Sequence, residues 1–328
     1  MPPAARSASR LAAHGPGIAS GVPGGYWPAV ENTYITFWQS LQPGDRDYVS
    51  GVLLQPGNNP AVSPTNDANL PVSAEMISKG GFASLTLNNL KSGSYLTFAD
   101  NTTVSLPGQL VINNIGTIIV PNGVVGTLQA NYVQWNGALG QFSITSASNV
   151  TVGPGLQTFV ISQPLPLAGL FGPGDTVTFT DNSNSANTMS GTVASYDAKT
   201  GALAVNVTST TGSGNSGGWI VAPFGNGTLN IVANTVDLIG NLSVLGARTA
   251  AFNVAGDVRL TGTSSAQPAG SLLAYGNLSF AAGQIYPMTC TTFTLASALP
   301  VNGTISFTAN GAPPQCLSGK ILNRMNRL

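Results

Sequence analysis

Apolar and polar residues alternate along most of this chain in short triplets, ordered apolar, polar, apolar. Between residues 225 and 307 the triplets read LNI at 229–231, VDL at 236–238, LSV at 242–244, FNV at 252–254, VRL at 258–260, LSF at 278–280, FTL at 293–295 and ISF at 305–307. Successive side chains of a strand point to opposite faces, so each triplet sends two apolar residues to one side and one polar residue to the other. Strands this short cannot bury a core alone. Gly, Asn, Asp and Ser separate them, as at Ile239-Gly240-Asn241 and Ala255-Gly256-Asp257, and these residues suit tight turns. Stacking such strands coil upon coil gives them one shared core, so the pattern predicts a parallel β-helix.

An earlier block carries the same signature: LTL at 85–87, LTF at 96–98, VSL at 104–106, LVI at 110–112 and FSI at 142–144, with 118–120 and 124–128 adding two more. The rhythm changes over residues 149–222. Alternation there extends over longer runs, at 157–162, 176–181, 191–196, 202–208 and 218–221, joined by turns such as Asp181-Asn182-Ser183-Asn184. Longer alternating strands with polar turns predict antiparallel pairing. The expected organisation is therefore an all-β chain: a Pro, Gly and Ala-rich disordered head (1–25), an aromatic cap and Pro/Asn-rich linker (26–76), a first β-helix block (77–146), an inserted antiparallel module (147–223), a second β-helix block (224–310) and a basic tail (311–328). Within the cap, 33–37 reads as a strand and 37–41 as one helical turn, and its aromatics close the end of the core.

Composition narrows the function classes. Charged residues make up 7% of the chain, net charge is zero, and hydrophobic residues reach 42%. Between Ser92 and Ala247 the only basic residue is Lys199, so a basic groove for nucleic acid is not expected. Disordered chains are poor in aliphatic residues, and this one is rich in them. An uncharged surface of Asn, Ser and Thr suits stacked side-chain ladders. No run of apolar residues is long enough for a membrane span, and the N-terminus lacks the apolar core of a signal peptide, so an exported protein would be represented here by a fragment. The cysteines Cys290 and Cys316 allow one disulfide in an exported chain; alternatively Cys290, in a strand-like run, is a buried free thiol. Asn101, Asn149, Asn206, Asn226, Asn241, Asn277 and Asn302 begin Asn-x-Ser/Thr sequences and read as turn and ladder residues.

Two stretches carry a resemblance. SKGGFASLTLNN at 78–89, GTLNIVANTVDLIGNLSVLG at 227–246 and above all AGDVRLTGTSSAQPAGSLLAYGNLSFAAGQIYPMTCTTFTL at 255–295 resemble large bacterial exoproteins of the filamentous haemagglutinin type. The resemblance implies a right-handed parallel β-helix, secretion across the outer membrane through a partner transporter, and an adhesive role at a host or cell surface. TVGPGLQTFVI at 151–161 with GDTVTFTDNSNSANTMSGTVASYDAKTGALAVNVTSTTGSGNSGGWIV at 174–221 is similar to small β modules of phage tail and collar proteins, which implies attachment or glycan contact.

Candidate chemistry is sparse. His14 is the sole histidine and lies in the head, so neither a Ser-His-Asp triad nor a histidine metal site is expected. No Gly-rich loop leads into a helix to hold phosphate, and no metal or cofactor is expected. Asp45 and Asp47 flank Arg46 in a turn. Asp175 and Asp181 offer oxygen ligands for Ca²⁺ without the dense Asp repeat of calcium-binding solenoids. The leading expectation is a non-enzymatic adhesin-like segment that presents the module to a glycan or surface, with Asn182, Asn184, Asn187, Tyr196 and Trp219 as contact residues on or near its turns. For Tyr196 and Trp219 the other reading is module core. The alternatives are a tailspike-type polysaccharide depolymerase, with Asp237 and Asp257 one coil apart as paired carboxylates, and an inert spacer.

Overall fold

The computed structural model describes residues 11–14, 34–38, 51–57, 69–89, 93–162, 170–264, 268–297 and 303–311. The described residues are all-β apart from one short helix. Its repeating strands form three parallel ladders. Ladder I holds Tyr34–Trp38, Ser84–Asn88, Gln109–Asn113, Tyr132–Gly137, the first half of Thr235–Leu245, Asp257–Thr261 and Gln284–Pro287. Ladder II holds Asn69–Ser73, Gly51–Gln55, Tyr95–Phe98, Thr117–Ile119, the second half of Thr235–Leu245, Ala269–Ala274 and Thr292–Ser297. Ladder III holds Thr102–Ser105, Val125–Gln129, Gly227–Ala233, Ala247–Val254, Asn277–Ala282 and Ile305–Ala309. From Ser84 onward the chain visits I, II and III in rotation, except that between Tyr132–Gly137 and Gly227–Ala233 an antiparallel segment takes the place of the ladder II strand. Ladders I and II join through Thr235–Leu245, which turns the corner at Gly240 with φ of 75°, a conformation that suits a residue without Cβ.

The apolar members of the triplets from all three ladders meet in one core that includes Leu87, Phe98, Ile112, Trp135, Leu238 and Phe280. Each fully buried side chain of this kind contributes about 1.5–3 kcal/mol. Because the strands stack in register, identical residues superpose. Phe252, Phe280 and Phe307 are register partners in ladder III, with ring centroids 4.7 and 5.5 Å apart and nearly parallel planes. On the outer face of ladder I, the Asn136 amide donates to Asn113 and the Asn113 amide to Asn88, each at 3.0 Å. That row is the asparagine ladder anticipated from composition.

Several expected boundaries move. Gly51–Gln55 and Asn69–Ser73 pair in ladder II, and Tyr34–Trp38 in ladder I, so parallel stacking includes strands before residue 77; the rest of 26–68, Pro56 and Gly57 apart, lies outside the described residues. Leu11–His14, expected in the disordered head, is a strand antiparallel to Tyr34–Trp38. Of the helical turn expected at 37–41, Phe37 and Trp38 are extended and the remainder lies outside the described residues. The helix is instead Ala74–Lys79. Ser73 caps it by accepting from Met76 N–H at 3.0 Å, Glu75 and Lys79 pair across one turn, and Ala74 and Ile77 face the core. Ser78 Oγ accepts the N–H of Ser105, satisfying an edge donor of the first described strand of ladder III. Cys290 is exposed and sits in a turn with φ of 62°, which corrects the strand-like, buried reading. Cys316 and the basic tail beyond Gly311 lie outside the described residues.

The inserted segment forms a six-stranded antiparallel sheet. In spatial order its strands are Ile144–Ser146, Trp219–Phe224, Thr176–Asp181, Thr188–Asp197, Ala202–Thr211 and Gly155–Val160. The sheet curls until its two edges meet: Ser146 bridges Ile161, and Ser162 N–H donates to Thr145 O at 2.8 Å. We refer to it as the barrel. It begins at Ile144, inside the FSI triplet expected to belong to the first block, because Ile144 faces the barrel core.

Candidate functional site

The barrel sits on the outer face of ladder II. Its core contains Phe159, Val177, Phe179, Leu203 and Trp219, and it continues without a break into Tyr95, Ile119 and Leu245 of the ladder. Phe142 packs on Tyr95 with ring centroids 4.7 Å apart. Between the two bodies is a cleft of about 30 Å³ lined by Gln141, Phe142, Ile220, Ser243, Leu273 and Tyr275. That is room for about one water molecule, far too little for a sugar ring.

The five expected contact residues separate into two groups. Asn182 and Asn184 are exposed at the tip of the turn after Thr176–Asp181. Asn187 is 8% exposed, and its amide donates to Asp181 Oδ2 at 3.1 Å. Asp181 also accepts from Ser183 N–H and Ser183 Oγ, at 2.8 and 2.7 Å. Those bonds, that of the Ser183 hydroxyl first, hold its carboxyl well below the usual carboxylate range. Asp181 and Asn187 thus build the turn. Trp219 is 1% exposed; it meets Phe159 edge-on at 6.1 Å and donates Nε1–H to Ser148 O at 3.2 Å. Tyr196 packs on Phe171 at 4.9 Å, with a buried hydroxyl that has no hydrogen-bond partner. Burial, with the charge of Asp197 second, raises its pKa. The structure therefore corrects the contact set. Trp219 is barrel core, Asn187 is a turn brace, Tyr196 is half-buried packing, and Asn182 and Asn184 remain at the surface.

A second concentration of polar chemistry lies on the outer face of ladder I. Gln134, Asp237, Arg259 and Tyr286 are successive register partners on four adjacent strands. Gln134, Asp237 and Arg259 are each the polar centre of a strand whose apolar neighbours are buried, and Tyr286 sits beside the partly buried Ile285. The Arg259 guanidinium grips both oxygens of Asp237, Nη2 to Oδ2 at 2.7 Å. Tyr132, two residues before Gln134, donates its hydroxyl to Asp237 Oδ2 at 2.6 Å, and the Arg259 guanidinium carbon lies 6.0 Å from the Tyr132 ring centroid. Burial, then the bond to Asp237, pushes the Tyr132 phenol up to about 12. The bond to Asp237 likewise raises Arg259. Asp257 is 7% exposed; Tyr286 donates to its Oδ2 at 3.3 Å, while Oδ1 has no partner. Burial, with Asp257 second, raises the Tyr286 pKa.

This geometry revises the reading of Asp237 and Asp257 as stacked carboxylates. The register partner of Asp237 is Arg259, whereas Asp257 precedes Val258, the partner of Val236. Each carboxylate has its own partner. Both Asp237 oxygens are engaged by Arg259 and Tyr132 rather than turned towards a second carboxylate. Arg259, two residues from Asp257 in the chain, turns to Asp237. Sequence reasoning missed Tyr132 and Tyr286. The signal was available for Tyr132, since Val133 and Trp135 are apolar and alternation leaves Tyr132 and Gln134 outside.

Among the described residues no group of three or more His, Cys, Asp or Glu side chains is placed to hold a metal ion, and no helix is long and apolar enough to cross a membrane. No family model matches the chain, and no curated protein or solved structure matches it.

Proposed function

We propose that this chain is a non-enzymatic, secreted or surface-displayed segment of a bacterial adhesin-like exoprotein. In this reading the three ladders close into a right-handed parallel β-helix of the filamentous haemagglutinin type, exported through an outer-membrane partner transporter. The helix is a stiff stalk, and the barrel is an attachment unit that contacts a glycan on a host or cell surface. The observation that carries the reading is the continuous apolar core shared by the barrel and ladder II. A module on a loose linker swings; one seated on Tyr95, Ile119 and Leu245 holds its turns at a fixed bearing to the stack. Fixed presentation cuts the ordering cost of contact with a surface. The surface of the barrel is polar and nearly uncharged around Asn182 and Asn184, as suits hydroxyl-rich ligands.

The test is a glycan array probed with the full chain and with the Asn182→Ala/Asn184→Ala double variant. Saturable binding by the full chain that falls at least tenfold in the double variant supports attachment through the barrel turns. Absence of binding to any glycan sinks the attachment reading. Release of reducing ends from a bound glycan would replace it with the depolymerase.

A further inference from the structure

The chain has few charges, and on ladder I it gathers three of them between two tyrosines. We propose that the outer face formed by Tyr132, Asp237, Arg259, Asp257 and Tyr286 is a second saccharide site, separate from the barrel turns, that takes a neutral or amino-sugar chain. Three features converge on that ligand. The first is Asp257. Its side chain is more than nine-tenths buried, Oδ1 has no partner and Oδ2 has only a 3.3 Å contact to the Tyr286 hydroxyl. A buried carboxylate this poorly satisfied destabilises the fold until a donor reaches it. Sugar hydroxyls and ammonium groups are such donors, and the long Tyr286 contact is the one they exchange with.

The second feature is charge. Arg259 and Asp237 neutralise each other through a bidentate pair, so Asp257 leaves one net negative charge on the face. That disfavours uronates and other acidic sugars and favours neutral or cationic ones. The third feature is extent. The strands carrying Tyr132 and Tyr286 lie three steps apart in ladder I, roughly 14 Å at the usual strand spacing. Two half-exposed aromatic rings at that separation, with donors and acceptors between them, suit an extended chain of sugars rather than one ring. The residues that bracket the face are already fixed, Tyr132 by Asp237 and Arg259 by its clamp, so little ordering accompanies binding.

The experiment is calorimetric titration of the full chain with glucosamine hexamer and with hexagalacturonate, on wild type and on Asp257→Asn, Tyr286→Phe and Asn182→Ala/Asn184→Ala. We expect saturable binding of the glucosamine hexamer and at least tenfold weaker binding of the galacturonate. Asp257→Asn should weaken hexamer binding at least tenfold, as befits loss of a charge-assisted bond, while its melting temperature stays level or rises because an unsatisfied buried charge has gone. A purely structural Asp257 predicts the reverse pair, a lower melting temperature and unchanged affinity. The barrel double variant should bind the hexamer like wild type, which separates failure of this site from failure of the barrel. No saturable binding by wild type, equal affinity for galacturonate, or undiminished affinity in Asp257→Asn would each overturn the proposal. Should Asp257→Asn fail to fold, Tyr286→Phe decides: a several-fold loss supports the site, and an unchanged affinity removes it.

Discussion

Ile119 provides a direct test of whether the barrel is seated or merely attached. Its neighbour Ile118 points into the core of the ladders, so alternation sends Ile119 outward, where water would otherwise be. It is nonetheless 0% exposed, enclosed with Tyr95 and Leu245 by the barrel. Ile119→Ala removes three buried carbons, worth about 2.4 kcal/mol at ~0.8 kcal/mol each. The residual cavity brings the cost to about 3 kcal/mol, inside the usual range for this truncation. For a cooperative unit of this size each kcal/mol shifts Tm by about 2–4 °C, so the fall should be about 6–12 °C. Among the described side chains each body carries one buried tryptophan, Trp135 in the ladder core and Trp219 in the barrel core. Incorporation of 5-fluorotryptophan and ¹⁹F spectra against temperature therefore follow both at once. Trp135→Phe and Trp219→Phe assign these two signals among the four tryptophans of the chain; in the wild type both should vanish together, and in Ile119→Ala the Trp219 signal should go first and by the stated margin. Val125→Ala, at a position 40% exposed, is the control and should move neither signal by more than about a degree. If Ile119→Ala behaves like Val125→Ala, the shared core contributes nothing and the fixed-bearing argument fails.

Gly126 faces the ring of Phe98, and a Cβ there would lie 2.5 Å from it; Gly126→Val should cost about 1–3 kcal/mol by overpacking, read as a lower urea midpoint at unchanged m. Asp181 has a depressed folded pKa, so its stabilisation is complete above the unfolded carboxylate value of about 3.9 and is lost as pH falls below it. The Trp219 transition should therefore weaken below about pH 4, and Asp181→Asn should flatten that dependence. Tyr132 shows the opposite sign. Its phenol is raised to about 12, so its contribution holds below the unfolded value of about 10 and disappears as pH climbs towards 12. Absorbance titration at 295 nm should show one phenol ionising near 12 that is missing in Tyr132→Phe and shifted down in Asp237→Asn.

The repeating half of this structure was legible because one local rule recurs. Each triplet such as VDL at 236–238 or LSF at 278–280 states its inward and outward faces by itself, and register stacking needs nothing further. The antiparallel strands of the insert were readable from their longer alternation, and the asparagine row from composition. What failed was non-local. Nothing in FSI at 142–144 says which of two cores Ile144 enters. Gly51–Gln55 and Asn69–Ser73 enter ladder II although prolines surround them. Arg259 is two residues from Asp257 and 22 residues from Asp237 in sequence, yet register places it beside the latter. The aromatic contact candidates went astray for a related reason: aromatics near turns satisfy a small barrel's need for core as readily as a ligand's need for a platform, and Trp219 went to the core.

The way the barrel enters the stack ties these observations together. Between Gln109–Asn113 and Thr235–Leu245, ladder I contains Tyr132–Gly137, and between Val125–Gln129 and Ala247–Val254, ladder III contains Gly227–Ala233. Ladder II contains nothing there; Thr117–Ile119 pairs directly with Ser243, Val244 and Leu245. One turn of the chain thus gives up its ladder II strand and spends that stretch on the barrel. The neighbouring ladder strands close over the gap because glycines line it. A Cβ on Gly116 would lie 2.2 Å from Gly140 O, and one on Gly137 would lie 2.2 Å from Asn241 O. The buried hydroxyls of Thr117 and Ser243 then bond to each other at 2.8 Å across the seam, and Phe142 N–H donates to Thr117 Oγ1. The chain leaves for the barrel through the same contact that repairs the ladder, so departure and repair cannot be separated. An insertion on an ordinary surface loop would leave the ladders unchanged and the module free to move. Here the ladder itself is cut to receive it, and the three tyrosine-flanked charges of ladder I lie on the face that this arrangement leaves uncut.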